Sequence, residues 1–502
     1  METESGERPH VRKKLDWHLI PWLFSLGVVC YLDRTNLSFA AVQLNRDLHL
    51  SCKTYGLGAG LFFVSYAAFQ VPSNVILAKL GSPLWLSITI AAWGVIAASF
   101  AGISNTVSFL VLRLLLGAAE SGTFPGIWSH LSYFYSPREL GAAYSAVSTS
   151  TALAQIIGSP IAAAILLLDQ KLGLSGWQWL FMLEGICTVF YGIALKFLLA
   201  RDPEHAYFLP HDDREWLARR QEKFGKARST FESQRENVVE ILKDWRIWYL
   251  SIVLAAITQA MYGCVFFIPM IIHSFFYTNG MEDGQAEGAS ACSSGESNSK
   301  GGAIVALLSM IPFASAAVCM VLTGKSSELH NERRLHSGIP VCLGAFFLCI
   351  TPLWLHFNIP WGAFISLTLA AAAIWSYHGP FMTWPAAFLE RDRAALGFAL
   401  MNSVGSFGGF FGPFLLGWLA DLTGGYSLAM ITIGIILGLG GIAIFLFPVN
   451  AAADHINTEP CPADLTTQDL PMASNESLDT NDLETNEETK SLLYKQSLSK
   501  SS

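Results

Sequence analysis

Charge is what this sequence has least of. Of its 502 residues only 14% are Asp, Glu, Lys or Arg while 52% are apolar, against about a quarter charged in an ordinary soluble domain. A soluble enzyme is excluded. The nine cysteines show no CxxC or metal-ligand spacing; Cys30, Cys187, Cys264, Cys319, Cys342 and Cys349 fall inside apolar runs and read as small core residues. No phosphate-binding glycine loop appears between the runs, and Ser, His and acidic residues form no nucleophile arrangement. No catalytic residue, cofactor or metal is therefore expected. A basic surplus is also lacking: the formal charge is -8, much of it on the last fifty-odd residues, so nucleic acid is not a partner. The first 18 residues are basic and polar without an apolar leader core, so no cleaved signal peptide is expected and the first apolar run acts as its own insertion signal.

What is present is a series of apolar runs of about 20 residues, each long enough to cross a hydrocarbon layer of about 30 Å as a helix. Twelve are expected, at 19–41, 55–78, 84–103, 106–134, 139–168, 177–200, 246–278, 301–324, 337–356, 359–388, 394–421 and 425–448. The tails and the connections on their side hold about twenty Lys and Arg, whereas the opposite connections hold only Arg46, Lys53, Lys171 and Lys300; basic residues resist translocation, which assigns both tails to the cytoplasm. The expected organisation is a cytoplasmic N-tail (1–18), a six-helix bundle (19–200), a charged cytoplasmic linker (201–245), a second six-helix bundle (246–448) and a disordered cytoplasmic tail (449–502). Within the linker, Asp212 to Phe224 suits either an amphipathic helix on the inner leaflet or a solvated connector. Gly280 to Gly302 reads as an outer loop rich in Gly, Ser and Glu. The halves echo each other: Gly158-Ser159-Pro160 in span five corresponds to Gly412-Pro413 in span eleven, where small residues permit close helix crossing. Parallel repeats of this kind are typical of secondary transporters.

Four charges sit where lipid penalises them. Asp33 and Arg34 lie in span one, Arg113 and Glu120 in span four, and each charge at mid-membrane costs at least about 2.5–3.5 kcal/mol unless paired or wetted. Arg113 and Glu120 are seven residues apart, two turns along one helix face. Two buried ion pairs holding span one against span four would account for the set. Apolar residues do that job as well, so the favoured reading is functional. The guanidiniums bind a substrate carboxylate through their planar donor fork, and the acids accept protons. Protonating Asp33 or Glu120 removes a competitor from an Arg and leaves the cavity positive for an anion. Tyr66, Gln259, Tyr262, Ser376, His378, Thr383, Trp384 and Asn402 either line the same cavity or make interhelical hydrogen bonds. Glu184 in span six needs a partner that the sequence does not name.

The motifs Tyr31-x-Asp33-Arg34-x-Asn36, Val71-Pro72-Ser73-Asn74, Arg113-x6-Glu120-x-Gly122-x2-Pro125-Gly126 and Gly176-Trp177-Gln178-Trp179-Leu180-Phe181 with Glu184-Gly185 resemble the major facilitator superfamily. More narrowly, they resemble its anion:cation symporter family, on the side of the bacterial tartrate, phthalate and sugar-acid transporters and the fungal allantoate and nicotinate permeases. The resemblance covers about residues 15 to 450. It implies an all-α integral membrane protein of twelve transmembrane helices in two six-helix bundles, a monomer carrying a small organic anion by alternating access with H+, or with Na+, as the coupling ion. It associates Asp33 and Glu120 with proton coupling, Arg34 and Arg113 with the anion, and Tyr66, Trp384 and Asn402 with substrate contacts, with Gln259 and Thr383 as further candidates. An anion exchanger and a non-transporting substrate sensor are the alternatives. Ala78-Lys79-Leu80-Gly81 lacks the acid that the superfamily carries after span two. Glu488-Thr489-Lys490-Ser491-Leu492-Leu493 resembles a sorting signal read by an adaptor, with Glu488, Leu492 and Leu493 as its elements, so the membrane is the plasma membrane or an endolysosomal one. Asn475-Glu476-Ser477 is a glycosylation sequon left unused in a cytoplasmic tail, and Cys52 and Cys292 are a candidate disulfide between outer loops.

Overall fold

Long apolar runs in lipid must satisfy their backbone amides and carbonyls internally, and helices do so. The computed structural model describes residues 8–225, 240–277, 299–330, 332–389 and 391–448, which are helical apart from short connections. In order they are α1 (Pro9–Asp47), α2 (Cys52–Leu80), α3 (Ser82–Ser99), α4 (Thr106–Glu120), α5 (Thr123–Phe134), α6 (Pro137–Ser148), α7 (Ser150–Leu166), α8 (Gly176–Leu198) and α9 (His211–Gly225). They continue with α10 (Trp245–Tyr277), α11 (Ser299–Leu329), α12 (Arg334–His356), α13 (Pro360–Ser376), α14 (His378–Met382), α15 (Pro385–Phe388), α16 (Arg391–Thr423) and α17 (Ser427–Leu446). Helix starts are written in the sequence: Asn105 accepts from the Ser108 amide at 2.9 Å, and Ser175 with Gln178 forms a capping box ahead of α8.

Eleven helical stretches among the described residues are long and apolar enough to cross a membrane. The remaining expected span, 359–388, is broken into α13, α14 and α15, because Pro380 and Pro385 withhold amide donors within a few residues of each other. Span four is broken as well. Pro125 has no N–H for the Ser121 carbonyl, and the helix parts between α4 and α5 immediately after Glu120.

The correspondence between the halves holds in three dimensions. A Cβ on Gly158 of α7 would meet Leu32 of α1 at 2.9 Å, and one on Gly412 of α16 would collide with the Gln259 carbonyl of α10. In each half the fifth span thus packs closely on the first, against the Leu32 side chain at Gly158 and against backbone at Gly412.

The halves interlock at the face away from the chain ends. Asn45 Nδ2 donates to Met270 Sδ at 3.2 Å, and the Tyr55 hydroxyl reaches the Phe266 carbonyl at 3.0 Å. Gly56, Gly60 and Gly417 let α2 and α16 touch through backbone, since side chains there would strike the carbonyls of Pro413, Phe410 and Cys52. Asp421 at the end of α16 accepts from the Cys52 and Lys53 amides at 3.0 and 2.7 Å, so an acid of one half caps the first turn of α2 in the other. Cys52 is disulfide-bonded. Cys292, most of the loop 280–302, Asn475, Glu488, Leu492 and Leu493 lie outside the described residues.

At the terminal face α1 begins at Pro9, ahead of the expected span. Val11 and Leu15 find cover there, and His18 stacks on Phe208 at 4.6 Å. Helix α9 is docked on the protein. Its Asp213 gathers Arg8 at 2.8 Å, His10 at 3.1 Å and Lys14 at 3.5 Å, and Arg220 reaches Glu139 at 3.3 Å. Burial alone would raise the Asp213 carboxyl, but hydrogen bonds from His10, Arg8 and Lys14 outweigh it and hold the group below the usual carboxylate range. A lowered acid stabilises the fold above its ordinary value of about 3.9 and loses that contribution as pH falls through the lower folded value. Asp213→Asn is therefore expected to lower the melting temperature at pH 7, by the equivalent of about 1 kcal/mol. The difference from wild type should close below about pH 4; identical melting at pH 7 would show that the clasp contributes nothing.

Candidate substrate and proton site

The buried charges of α1 and α4 meet. Arg34 Nε donates to Glu120 Oε2 at 2.8 Å, and the Cys30 thiol, one turn earlier on α1, donates to the same oxygen at 3.5 Å. Glu120 is 0% exposed and Arg34 7%. Four rings surround the guanidinium: Tyr66 at 4.9 Å, Phe62 at 5.2 Å, Tyr31 at 5.3 Å and Phe124 at 5.8 Å from its carbon to their centroids. Ring faces are attractive to a cation that has left water. The set follows from helix spacing, since Tyr31 is three residues before Arg34, Phe124 four after Glu120, and Phe62 four before Tyr66.

The pair is incomplete. Arg34 Nη2, Glu120 Oε1 and Asp33 Oδ2 are sealed from solvent and have no hydrogen-bond partner among the described residues. Asp33 lies within electrostatic reach of Glu120 and Arg113, so two acids and two bases share one low-dielectric pocket. Each unfilled donor or acceptor there is a position that a ligand or a proton can occupy at a gain.

Arg113 does not pair with Glu120 despite their shared helix face. Its Nε donates to the Gly58 carbonyl at 3.1 Å and its Nη2 to that of Ala59 at 3.5 Å, and it lies 5.1 Å from the Phe62 ring. Gly58 itself makes room for the Phe109 ring of α4, which lies where a Cβ would stand. Of the two ion pairs the sequence allowed, one is formed. The other guanidinium rests on carbonyl dipoles, which hold it in place without neutralising its charge.

From the second half Tyr262 joins the cluster. Its ring lies 4.3 Å from that of Phe63, and it is within electrostatic reach of Arg34 and hydrogen-bonding reach of Tyr31. Gln259 is buried one turn earlier on α10, with its Nε2 lacking a partner among the described residues. The structure thus brings together Asp33, Arg34, Tyr66, Arg113, Glu120 and Tyr262. Thr383 donates to the Pro380 carbonyl at 2.8 Å and is exposed. Trp384 packs on Phe381 at 5.7 Å and Phe447 at 5.3 Å, toward the terminal face. Asn402 is exposed on α16, its carbonyl accepting from Ser406. Among the described residues none of these three has a hydrogen bond or ring contact to Arg34, Arg113 or Glu120. Phe62 and Phe124 are members of the site that sequence reasoning passed over, although their spacing from Tyr66 and Glu120 would have found them.

Comparison with known proteins agrees with the fold. The family model described as the Major Facilitator Superfamily matches residues 23–410. A provisionally named tartrate transporter of Agrobacterium vitis is 33% identical over 83% of this chain and 90% of that protein. A provisionally named metabolite transport protein, NicT, of Pseudomonas putida is 33% identical over 82% of this chain and 88% of its own length. Among solved structures, a bacterial homologue of the human lysosomal transporter Spinster, inward-facing and unoccupied, superposes with a TM-score of 0.67 at 16% identity, covering 91% of this chain and all of that one.

Removing Arg34 alone strands a buried carboxylate. Arg34→Ala should lower stability by about 3–5 kcal/mol, whereas Arg34→Ala with Glu120→Gln should recover much of the loss. Thermal melting of the single and double variants in one detergent measures this; additive losses would show that the bond is not formed in the resting protein.

Proposed function

We propose that this chain, which belongs to the major facilitator superfamily, carries a small organic carboxylate together with protons by alternating access between its two six-helix halves. The observation that carries the reading is the half-satisfied Arg34 to Glu120 bond, with Arg34 Nη2 and Glu120 Oε1 unpartnered. While Glu120 is ionised it occupies Arg34. Once protonated it becomes a weak acceptor, and the guanidinium fork turns to the carboxylate of a ligand. Arg113, fixed on the Gly58 and Ala59 carbonyls, supplies a second positive charge, and Tyr66 and Tyr262 supply hydroxyls. Proton and anion thereby favour each other's binding, a coupling that is reciprocal by thermodynamic necessity.

Alternating access requires a face that opens. The halves are interlocked at the face away from the chain ends through Asp421, Asn45 and Tyr55, which supports an inward-facing arrangement if the Lys- and Arg-rich terminal face is cytoplasmic. The protein works as a monomer in the plasma membrane or an endolysosomal membrane, with the adaptor pattern at Glu488, Leu492 and Leu493 deciding between them.

Uptake of labelled tartrate and related acids into proteoliposomes under an imposed pH gradient is the test. Accumulation driven by the gradient is expected. A strict need for sodium or for an anion on the other side would replace proton symport by sodium symport or exchange, and tight binding without flux would indicate a sensor. Glu120→Gln mimics the protonated acid and should retain exchange while losing gradient-driven accumulation by about 100-fold. Full accumulation by that variant would remove Glu120 from the coupling.

A further inference from the structure

Cys30 reads in the sequence as a small core residue, yet in the structure its thiol faces the charged site. It is 0% exposed, and its Sγ donates to Glu120 Oε2 at 3.5 Å. Of the free cysteines among the described residues, only Cys30 has a bond to an ionisable side chain. The hydroxyls that follow it on α1 behave differently. Thr35 donates to the Tyr31 and Leu32 carbonyls at 3.0 Å each, and Ser38 to the Thr35 carbonyl at 2.8 Å, as helix hydroxyls do when their own backbone is in reach. A thiol is a weaker donor, and here it points across to α4 instead. The result is an unequal carboxylate. Cys30 and Arg34 are one turn apart on the same face of α1, and both address Oε2, Arg34 through Nε at 2.8 Å. Glu120 Oε1 is sealed from solvent and has no hydrogen-bond partner among the described residues. A proton arriving at this carboxylate therefore meets one oxygen held by two donors and another that is bare.

We infer that Cys30 is a positioning residue for the proton step: its thiol holds Glu120 Oε2 in place and leaves Oε1 as the oxygen that takes the proton. This deepens the symport reading and rests on it. The proton adds to Oε1, the carboxylate becomes a carboxylic acid, and Oε2 becomes its carbonyl oxygen. Arg34 then turns to an anion, and the thiol is the donor that stays on Oε2. The carboxyl so keeps one hydrogen bond to α1 through the part of the cycle in which the ion pair is open. Because the thiol is a weak donor, it orients the carboxylate while opposing the proton less than a hydroxyl or a second guanidinium would. The other charged or titratable groups facing Glu120 are Asp33 and Arg34 on α1, Tyr66 on α2, Arg113 on α4 and Tyr262 on α10. On α5, His130 turns to Ser82 at 2.7 Å and Tyr133 is exposed. Helix α3, which packs on α4 and α5, carries no titratable residue, and neither does α7, which packs on α1. Helix α8 brings Glu184 within electrostatic reach of Asp33.

The test needs neither substrate nor gradient, so the positioning role can fail while symport stands, and the reverse. Infrared titration of the purified full-length protein follows two bands together, the S–H stretch and the C=O stretch of protonated carboxyls. One S–H band is expected to move to higher frequency as pH falls, because a carboxylic acid is a poorer acceptor than a carboxylate. That movement should vanish in Cys30→Ala and in Glu120→Gln. The carboxyl band that Glu120→Gln removes should persist in Cys30→Ala to a pH about half a unit higher than in the wild type, since the ionised form has lost a donor. A residue that merely filled space would leave that midpoint unmoved. An S–H region indifferent to pH, a moving S–H band that survives Glu120→Gln, or an unshifted carboxyl midpoint in Cys30→Ala each overturns the assignment. Should Cys30→Ala not be recovered folded, the wild type and Glu120→Gln decide alone: a pH-dependent S–H band present in the first and absent from the second supports the bond, and any other pattern refutes it.

Discussion

A guanidinium and a carboxylate 2.8 Å apart in the middle of a helix bundle set the terms for everything around them. Separating Arg34 from Glu120 without replacement leaves two charges buried in a low dielectric, a loss of several kcal/mol. The bundle therefore has to offer each partner a substitute before the bond can open. It offers Arg34 four aromatic faces, which hold the cation in place without satisfying its donors. To Glu120 it offers the Cys30 thiol at Oε2, while Oε1 has no hydrogen-bond partner among the described residues. In the proposed symport, a bond whose acid is relieved by a proton and whose base is relieved by an anion would couple the two ligands through one hydrogen bond.

The second guanidinium follows a different rule. Arg113 rests on helix-backbone carbonyls, which stay put whichever way the halves rock. Arg34 lies beside Tyr262 and Arg113 beside Phe266 at 5.8 Å, both of the other half, but only Arg34 is bonded to a carboxylate. In the proposed cycle the backbone-held base would fix the anion and the base bonded to Glu120 would answer to the proton. This division follows from where the donors point, and the two arginines would be indistinguishable by charge alone.

Most of the fold is legible in the sequence because hydrocarbon admits so few solutions: eleven of the twelve expected spans appear as long apolar helices, and the Gly158 and Gly412 crossings take equivalent places in the two halves. The breaks after Glu120 and within 359–388 were less visible, although Pro125, Pro380 and Pro385 mark them once backbone donors are counted. Asp33, Arg34, Arg113 and Glu120 stand out in the sequence by their cost in lipid. Their pairing does not. Residues seven apart on α4 share a face, but whether Arg113 turns to Glu120 or to the carbonyls of α2 depends on how α2 packs on α4, a contact between helices that no periodicity records. Trp384 illustrates the same limit, leaving the central cluster for Phe381 and Phe447.

The two faces of the bundle are held by different chemistry, and this asymmetry decides which of them can part. At the face away from the chain ends the contacts cross between halves, backbone against backbone at Gly56, Gly60 and Gly417, with the Asp421 carboxylate capping the start of α2. At the terminal face the ion pairs among the described residues tie α9 to α1 and to α6, or close within a turn, as Arg246 does on Asp244. Strong charge pairs there stiffen one half without binding it to the other. The turn Ala78-Lys79-Leu80-Gly81, which lacks an acid, adds no such tie of its own; Gly81 takes a positive φ of 81° that a side chain would strain. Opening the opposite face requires Asp421 to release two backbone amides that then find water, an exchange of hydrogen bonds worth about 1–3 kcal/mol in all. The Asn45, Tyr55 and glycine contacts add to that cost, and in the proposed cycle ligand binding at the centre would be set against their sum.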